Sequence, residues 1–189
     1  YTAFHFDITD YLVDGENILT LCVKDMTEEA PHARGKQKLV KKGKYGSLFY
    51  TPQSGIWKTV WMESVAKDYI EKIKITPLLD ASAVCLHIKT TVSGTAKVRV
   101  LEQGNVVKEE IVETNKDVKI HLEQVHVWTP DDPYLYDLNV VFGEDEVQSY
   151  FGMRKFHVGK DSKGILRFFM NNKPFFFNGI LDQGYWPES

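Results

Sequence analysis

Between residues 70 and 142 apolar side chains keep returning at every second position. Val84, Leu86 and Ile88 alternate with polar neighbours, as do Ala96, Val98 and Val100, then Val118, Ile120 and Leu122, then Tyr134, Tyr136, Leu138 and Val140. A period of two places such residues on one face of an extended strand, and no 3.6-residue stripe competes with it. The runs "EKIKITP", "AVCLHIKTTV", "TAKVRVLE", "DVKIHLE", "YLYDLNVVF" and "EVQSYFGMRKFHV" are separated by turn signals such as "EQGN" and "GEDE". Short strands at this spacing predict an antiparallel β-sandwich of immunoglobulin-like size, six or seven strands in about 85 residues. A Cys…Trp…Cys framework is missing, which argues against an antibody-type domain.

The flanks have a different texture. "NILTLCVKD", with Ile18, Leu19, Leu21 and Val23, reads as a strand after the turn "VDGEN", and "GIWKTVWMESV" reads as another. Between them "MTEEAPHARGKQKLVKKGKYGS" is a long charged loop, and loops of that length are functional or mobile. Near the other end "LRFFMNNKPFFFNG" predicts a hairpin turning at Asn171 and Asn172. "FFFNGIL" is apolar at consecutive positions, as a strand buried on both faces in an α/β architecture would be. Three pieces are expected: 1–67 as the end of one β domain, 68–154 as a complete sandwich, and 155–189 as the threshold of a third domain.

Bulk properties exclude several classes. The net charge is −3 and the pI near 6.1, which gives no footprint for nucleic acid or an anionic membrane. The apolar runs fall far short of the roughly 20 residues that span a bilayer. Cys22 and Cys85 lie in apolar runs and are expected as two buried free thiols, although a disulfide would need only close approach of the two backbones. The six histidines His5, His32, His87, His121, His126 and His157 show no metal-ligand spacing, so no metal and no cofactor is expected.

Five stretches taken together carry a resemblance. "YTAFHFDITDYLVDGENILTLCV", "YTPQSGIWKTVWMESV", "VWTPDDPYLYDL", "YFGMRKFHV" and "NNKPFFFNGILDQGYWPES" resemble, in this order, the family 2 glycoside hydrolases of the β-galactosidase and β-glucuronidase group. That resemblance implies a jelly-roll sugar-binding domain, an immunoglobulin-like sandwich and a catalytic (β/α)₈ barrel. It implies that this chain holds the jelly-roll end, the whole sandwich and the first barrel strand. In "WTPDDPYLY", Pro130 and Pro133 force an extended corner. Trp128, Tyr134 and Tyr136 are expected there as packing residues rather than ligand contacts. In "FGMRKF", Gly152 allows close backbone approach, and Arg154 is expected to pair with a carboxylate at a domain seam.

Retaining glycosidases work with two carboxyl groups about 5–5.5 Å apart. The resemblance places both glutamates on later barrel strands, so no catalytic residue carries over and the chain alone is expected to be inactive. Substrate contacts are implied at "GILDQGYWP". Asp182 and Gln183 can hydrogen-bond sugar hydroxyls, and Tyr185 and Trp186 can stack on an apolar sugar face. The well-known members read Gly-Val-Asn-Arg-His-Glu here; this chain has Asp182, Gln183 and Gly184 in place of the last three. Arg34 and Gln37 match an "RGKQ" of some members and could reach substrate from the long loop. The expected partner is a carbohydrate, with a homo-oligomer left open. Two rival readings remain. One is a free-standing carbohydrate-binding module using Trp57 and Trp61 or Tyr185 and Trp186; the other is a structural β-sandwich.

Overall fold

The computed structural model describes residues 3–26, 29, 36–39, 49–56 and 58–180. The chain forms two compact units, one of residues 1–61 with 181–189 and one of residues 62–180.

The second unit is built from ten strands. Seven of them make the sandwich: β1 (Ile70–Leu78), β2 (Ala83–Thr90), β3 (Thr95–Glu102), β4 (Asn105–Glu113), β5 (Asp117–His121), β6 (Tyr136–Phe142) and β7 (Asp145–Phe151). They pair antiparallel in two sheets, β1-β2-β5 and β4-β3-β6-β7. The alternation seen in the sequence becomes the core: Val84, Leu86 and Ile88 from one sheet meet Val98, Val100, Leu138 and Val140 from the other, all at most 1% exposed. Fully burying one such side chain contributes ~1.5–3 kcal/mol. The sequence-predicted immunoglobulin-like sandwich is therefore present.

Two polar ties hold the sheets in register. The Ile70 amide donates to Asp145 Oδ2 at 2.7 Å, fastening the start of β1 to the β6–β7 turn. Asn115, at a φ of 59°, donates its amide to Ile88 O at 2.8 Å and accepts from the Thr90 amide through Oδ1 at 2.9 Å. Asparagine tolerates this left-handed conformation, and its side chain also donates to the Thr90 and Ser93 hydroxyls at 3.2 and 3.3 Å.

The remaining three strands form a separate antiparallel sheet, β10-β9-β8, from β8 (Phe156–Lys160), β9 (Leu166–Met170) and β10 (Lys173–Pro174). The predicted hairpin turn is where expected, with Asn171 and Asn172 at φ of 50° and 65°. Positive φ at both central residues marks the turn whose twist matches paired strands.

The structure departs from the sequence expectations in three places. "EVQSYFGMRKFHV" is not one strand: the ladder ends at Phe151 and restarts at Phe156, because the chain at Gly152 turns against Trp128. "NVVKEEIVE", which lacks the alternation of the other runs, forms β4. Within "FFFNGIL" Phe175 donates its amide to Phe168 O at 2.9 Å, and Phe176 and Ile180 are exposed among the described residues. A strand buried on both faces needs neighbours and cover on both sides, and no described residue provides them. Cys22 is exposed and Cys85 half-buried; both are free, so the pair of buried thiols is wrong as to burial.

In the first unit the described residues contain a single-turn 3₁₀ helix at Thr9–Tyr11 and a parallel bridge between Gln37 and Tyr50. The predicted strands at "NILTLCVKD" and "GIWKTVWMESV" form no ladder among the described residues. Strand hydrogen bonds lie between segments, not within one, and a described contact here is a side-chain one: Ser54 Oγ, just before the second run, donates to Asp25 Oδ2 at the end of the first.

Candidate functional site

Five of the six sequence-predicted substrate contacts, Arg34, Asp182, Gln183, Tyr185 and Trp186, lie outside the described residues, as does Trp57. Gln37 is described. Its Oε1 accepts the Gln53 amide at 2.6 Å, and its neighbours Lys36 and Lys38 bond to Tyr50 through the backbone. The Gln37 side chain thus braces the base of its loop. Trp61 is 72% exposed rather than packed. On the outer face of β1-β2-β5 a shallow groove is lined by Lys74, Thr76, Cys85, His87, Asp117 and Lys119. His87 Nδ1 is 2.8 Å from Asp117 Oδ1. Among the described residues no group of three His, Cys, Asp or Glu side chains could hold a metal ion.

The best-organised polar constellation lies where the sandwich hands over to the β8-β9-β10 sheet. Its first part is the corner from "WTPDDPYLY". Thr129 and Asp132 exchange backbone hydrogen bonds at 2.9 and 3.2 Å, and Asp132 Oδ2 lies 2.6 Å from His126 Nε2. The His126 ring stacks on Tyr134 with centroids 4.0 Å apart, and its amide donates to the Tyr136 hydroxyl at 2.7 Å. Tyr136 is 1% exposed and lies against Phe151 at 5.4 Å. Burial, and after it the Glu102 carboxylate, pushes the Tyr134 hydroxyl up to about 12. That hydroxyl is out of solvent and makes no hydrogen bond of ordinary geometry among the described residues. The corner aromatics are packing residues, as expected.

The second part is the crossing "FGMRKF". A Cβ added to Gly152 would sit 3.0 Å from the Trp128 ring, so the close approach foreseen at this glycine is real. Trp128 donates its amide to Met153 O at 3.0 Å. The expected carboxylate partner of Arg154 is not found among the described residues. Its guanidinium lies over the Trp128 ring at 4.5 Å and near Phe156 at 5.6 Å. A planar, weakly hydrated guanidinium satisfies itself on aromatic faces as well as on carboxylates.

The third part is the Asn171–Asn172 turn. Asn171 takes both backbone groups of Lys155: its amide donates to Lys155 O at 2.9 Å and its Oδ1 accepts the Lys155 amide at 3.0 Å. Its Nδ2 donates to Trp128 O at 2.8 Å. Asn172 Nδ2 donates to Asp80 Oδ1 at 2.7 Å, and Lys155 Nζ donates to Asn172 Oδ1 at 2.9 Å and to Asp80 Oδ2. The Lys155 ammonium, with Asn172, holds the Asp80 carboxyl below the usual carboxylate range. Sequence reasoning saw the turn but not this clamp. The available signal was the second asparagine: a turn of this type is ordinarily served by Asn-Gly, and a second amide side chain is surplus unless something binds it.

Comparison with known proteins places this architecture. Residues 68–154 match the family model described as Glycosyl hydrolases family 2. A Beta-galactosidase of Thermoanaerobacter pseudethanolicus is 26% identical over 200 residues, covering 95% of this chain and 25% of that protein. A Putative beta-glucuronidase of Formosa agariphila is 26% identical over 196 residues, covering 95% of this chain and 22% of that protein. The solved structure of a Faecalibacterium prausnitzii Beta-glucuronidase is similar at a TM-score of 0.50 and 33% identity, over 60% of this chain and 18% of that one. The chain spans about a quarter of the length of these curated relatives. The seven-stranded sandwich, whose strands fall within the matched residues 68–154, is the part of the chain that matches glycosyl hydrolases family 2.

Proposed function

We propose that this chain is the non-catalytic portion of a retaining glycoside hydrolase that cleaves β-linked sugars in the manner of a β-galactosidase. The carrying observation is the family match over the sandwich, joined to a hairpin that the sandwich holds by side-chain hydrogen bonds. In this reading residues 1–67 belong to a jelly-roll sugar-binding domain and 155–189 open a (β/α)₈ barrel, whose active sites lie at the C-terminal ends of the strands. Asp182 and Gln183 would then meet sugar hydroxyls, with Tyr185 and Trp186 against an apolar sugar face. Arg34 and Gln37 would approach from the loop. The Asp-Gln-Gly at 182–184, where well-known relatives have Arg-His-Glu, points to a sugar other than the one those residues recognise.

The test has two arms. The chain alone should release no aryl leaving group from β-galactosides or β-glucuronides, and turnover above the buffer rate would sink the non-catalytic reading. The coding sequence downstream of Ser189 should supply a barrel bearing two glutamates; a different architecture there would remove the hydrolase reading. One observation favours a second reading, a carbohydrate-binding module: Trp61 is 72% exposed. Saturable oligosaccharide binding lost in Trp61→Ala would support that module, and flat titrations would dismiss it.

A further inference from the structure

We propose that Asn171 and Asn172 are positioning residues: a two-residue plug that locks the β8-β9-β10 sheet onto the sandwich and fixes the direction in which the chain runs on. The turn itself does not need their side chains, because glycine adopts these φ values without strain. Both side chains are nevertheless fully engaged, and with segments far away in sequence. Asn172 reaches Asp80 across 92 residues, Asn171 reaches Trp128 O across 43, and both reach Lys155. Three separate parts of the sandwich therefore meet on one turn: the 3₁₀ segment Leu79–Ala81, the proline corner and the crossing after Gly152.

Direction is what this arrangement supplies. A few strands without cover are marginal in water, so the sheet must dock to persist. Phe169 gives one face buried apolar contact, at 9% exposure, with the His157 ring stacked on it at 4.8 Å. Apolar contact is non-directional and tolerates sliding or rotation. Hydrogen bonds weaken steeply off axis, so a clamp of several, three of them charge-assisted, permits a single orientation. The opposite face of the sheet offers no such restraint: Phe156, Val158, Leu166 and Phe168 are about half exposed or more. The plug sits directly before β10, and so sets the course of residues 175–180. That this course matters for Asp182 and Gln183 rests on the proposed function; the orientation itself does not.

The experiment uses the full chain, isotope-labelled and weakly aligned, with backbone residual dipolar couplings as the readout. In the native chain one alignment tensor should fit the amides of β1–β7 and β8–β10 together. In Asn171→Gly/Asn172→Gly the turn can still form and cross-strand contacts between β8 and β9 should remain. The β8–β10 couplings should then shrink by about twofold or more through added motion and demand their own tensor. Asp80→Ala leaves both turn residues in place and should move the couplings the same way, with the sandwich melting temperature little changed. One common tensor in either variant would overturn the proposal. A downstream coding sequence without a barrel would remove the functional reading and leave this one standing.

Discussion

The sandwich and the first sixty residues start from similar sequence and end in different states. Val84, Leu86 and Ile88 are fully buried, whereas Ile18 and Leu19 are 86% and 81% exposed. Both runs are apolar, both follow turn signals, and both contain the β-branched residues that strands favour. What separates them is company. Val84, Leu86 and Ile88 have β1 on one side, β5 along most of the other, and a second sheet facing them. "NILTLCVKD" has no described neighbour of that kind. Pattern proposes a strand; a partner and a covering sheet make one.

The largest expected effect breaks that comparison outright. Leu138→Ala opens a cavity in the shared core and should cost ~2–5 kcal/mol, lowering the melting temperature sharply. The same change at Leu21, 58% exposed, should stay within about 0.5 kcal/mol. If the two losses were equal, the first region would be packed as tightly as the second. Next comes Gly152→Ala, which places a methyl group 3.0 Å from the Trp128 ring. Overpacking of that kind costs ~1–3 kcal/mol, seen as a lower denaturant midpoint with an unchanged slope.

A pH prediction sharpens the contrast at the joint. Asp80 has its folded pKa lowered from 3.8, first by Lys155 and then by Asn172, with His157 adding a small favourable charge effect. A carboxyl with a depressed folded pKa stabilises the fold above its unfolded value, and that contribution is lost as pH falls through the folded one. Amide exchange around Asn171 and Asn172 should therefore speed up below pH 3.8 relative to that of β2. Asp80→Asn should flatten this dependence, and an unchanged profile would show that the carboxylate does not hold the turn. The smallest effect is expected at Arg99, whose Nε lies 2.6 Å from Glu109 Oε2 on the outer face of β3 and β4. Exposed pairs contribute ~0–1 kcal/mol, so Arg99→Ala should barely shift the melt and less so at high salt.

Much of the fold could be read before the structure. Six of the seven sandwich strands carry the period-two pattern, and β4 shows why the seventh did not. Its core-side positions opposite Val98 and Val100 are Glu110 and Lys108, which lie 3.0 Å from each other. Inward-pointing charge on an edge strand deters pairing with other chains, and it erases the alternation by which a strand is recognised. The site was less legible. Arg154 in "FGMRKF" suggested a salt bridge, because a lone arginine in sequence advertises only its charge. The Trp128 face that receives it is supplied by a residue 26 positions earlier (154 − 128), brought close because Gly152 lacks a side chain. Asp80 carried no signal at all, since its partners are 75 and 92 residues away.

The sequence by itself determined the class of the central domain, its hairpin turn at Asn171–Asn172 and its kinship, because these rest on local periodicity, turn chemistry and motif order. Tertiary structure decided which apolar runs became strands and what Asn171, Asn172 and Arg154 bind. The reason is physical: a ladder, a cation–π contact and a clamp all need a second segment, and its arrival depends on how the whole domain folds.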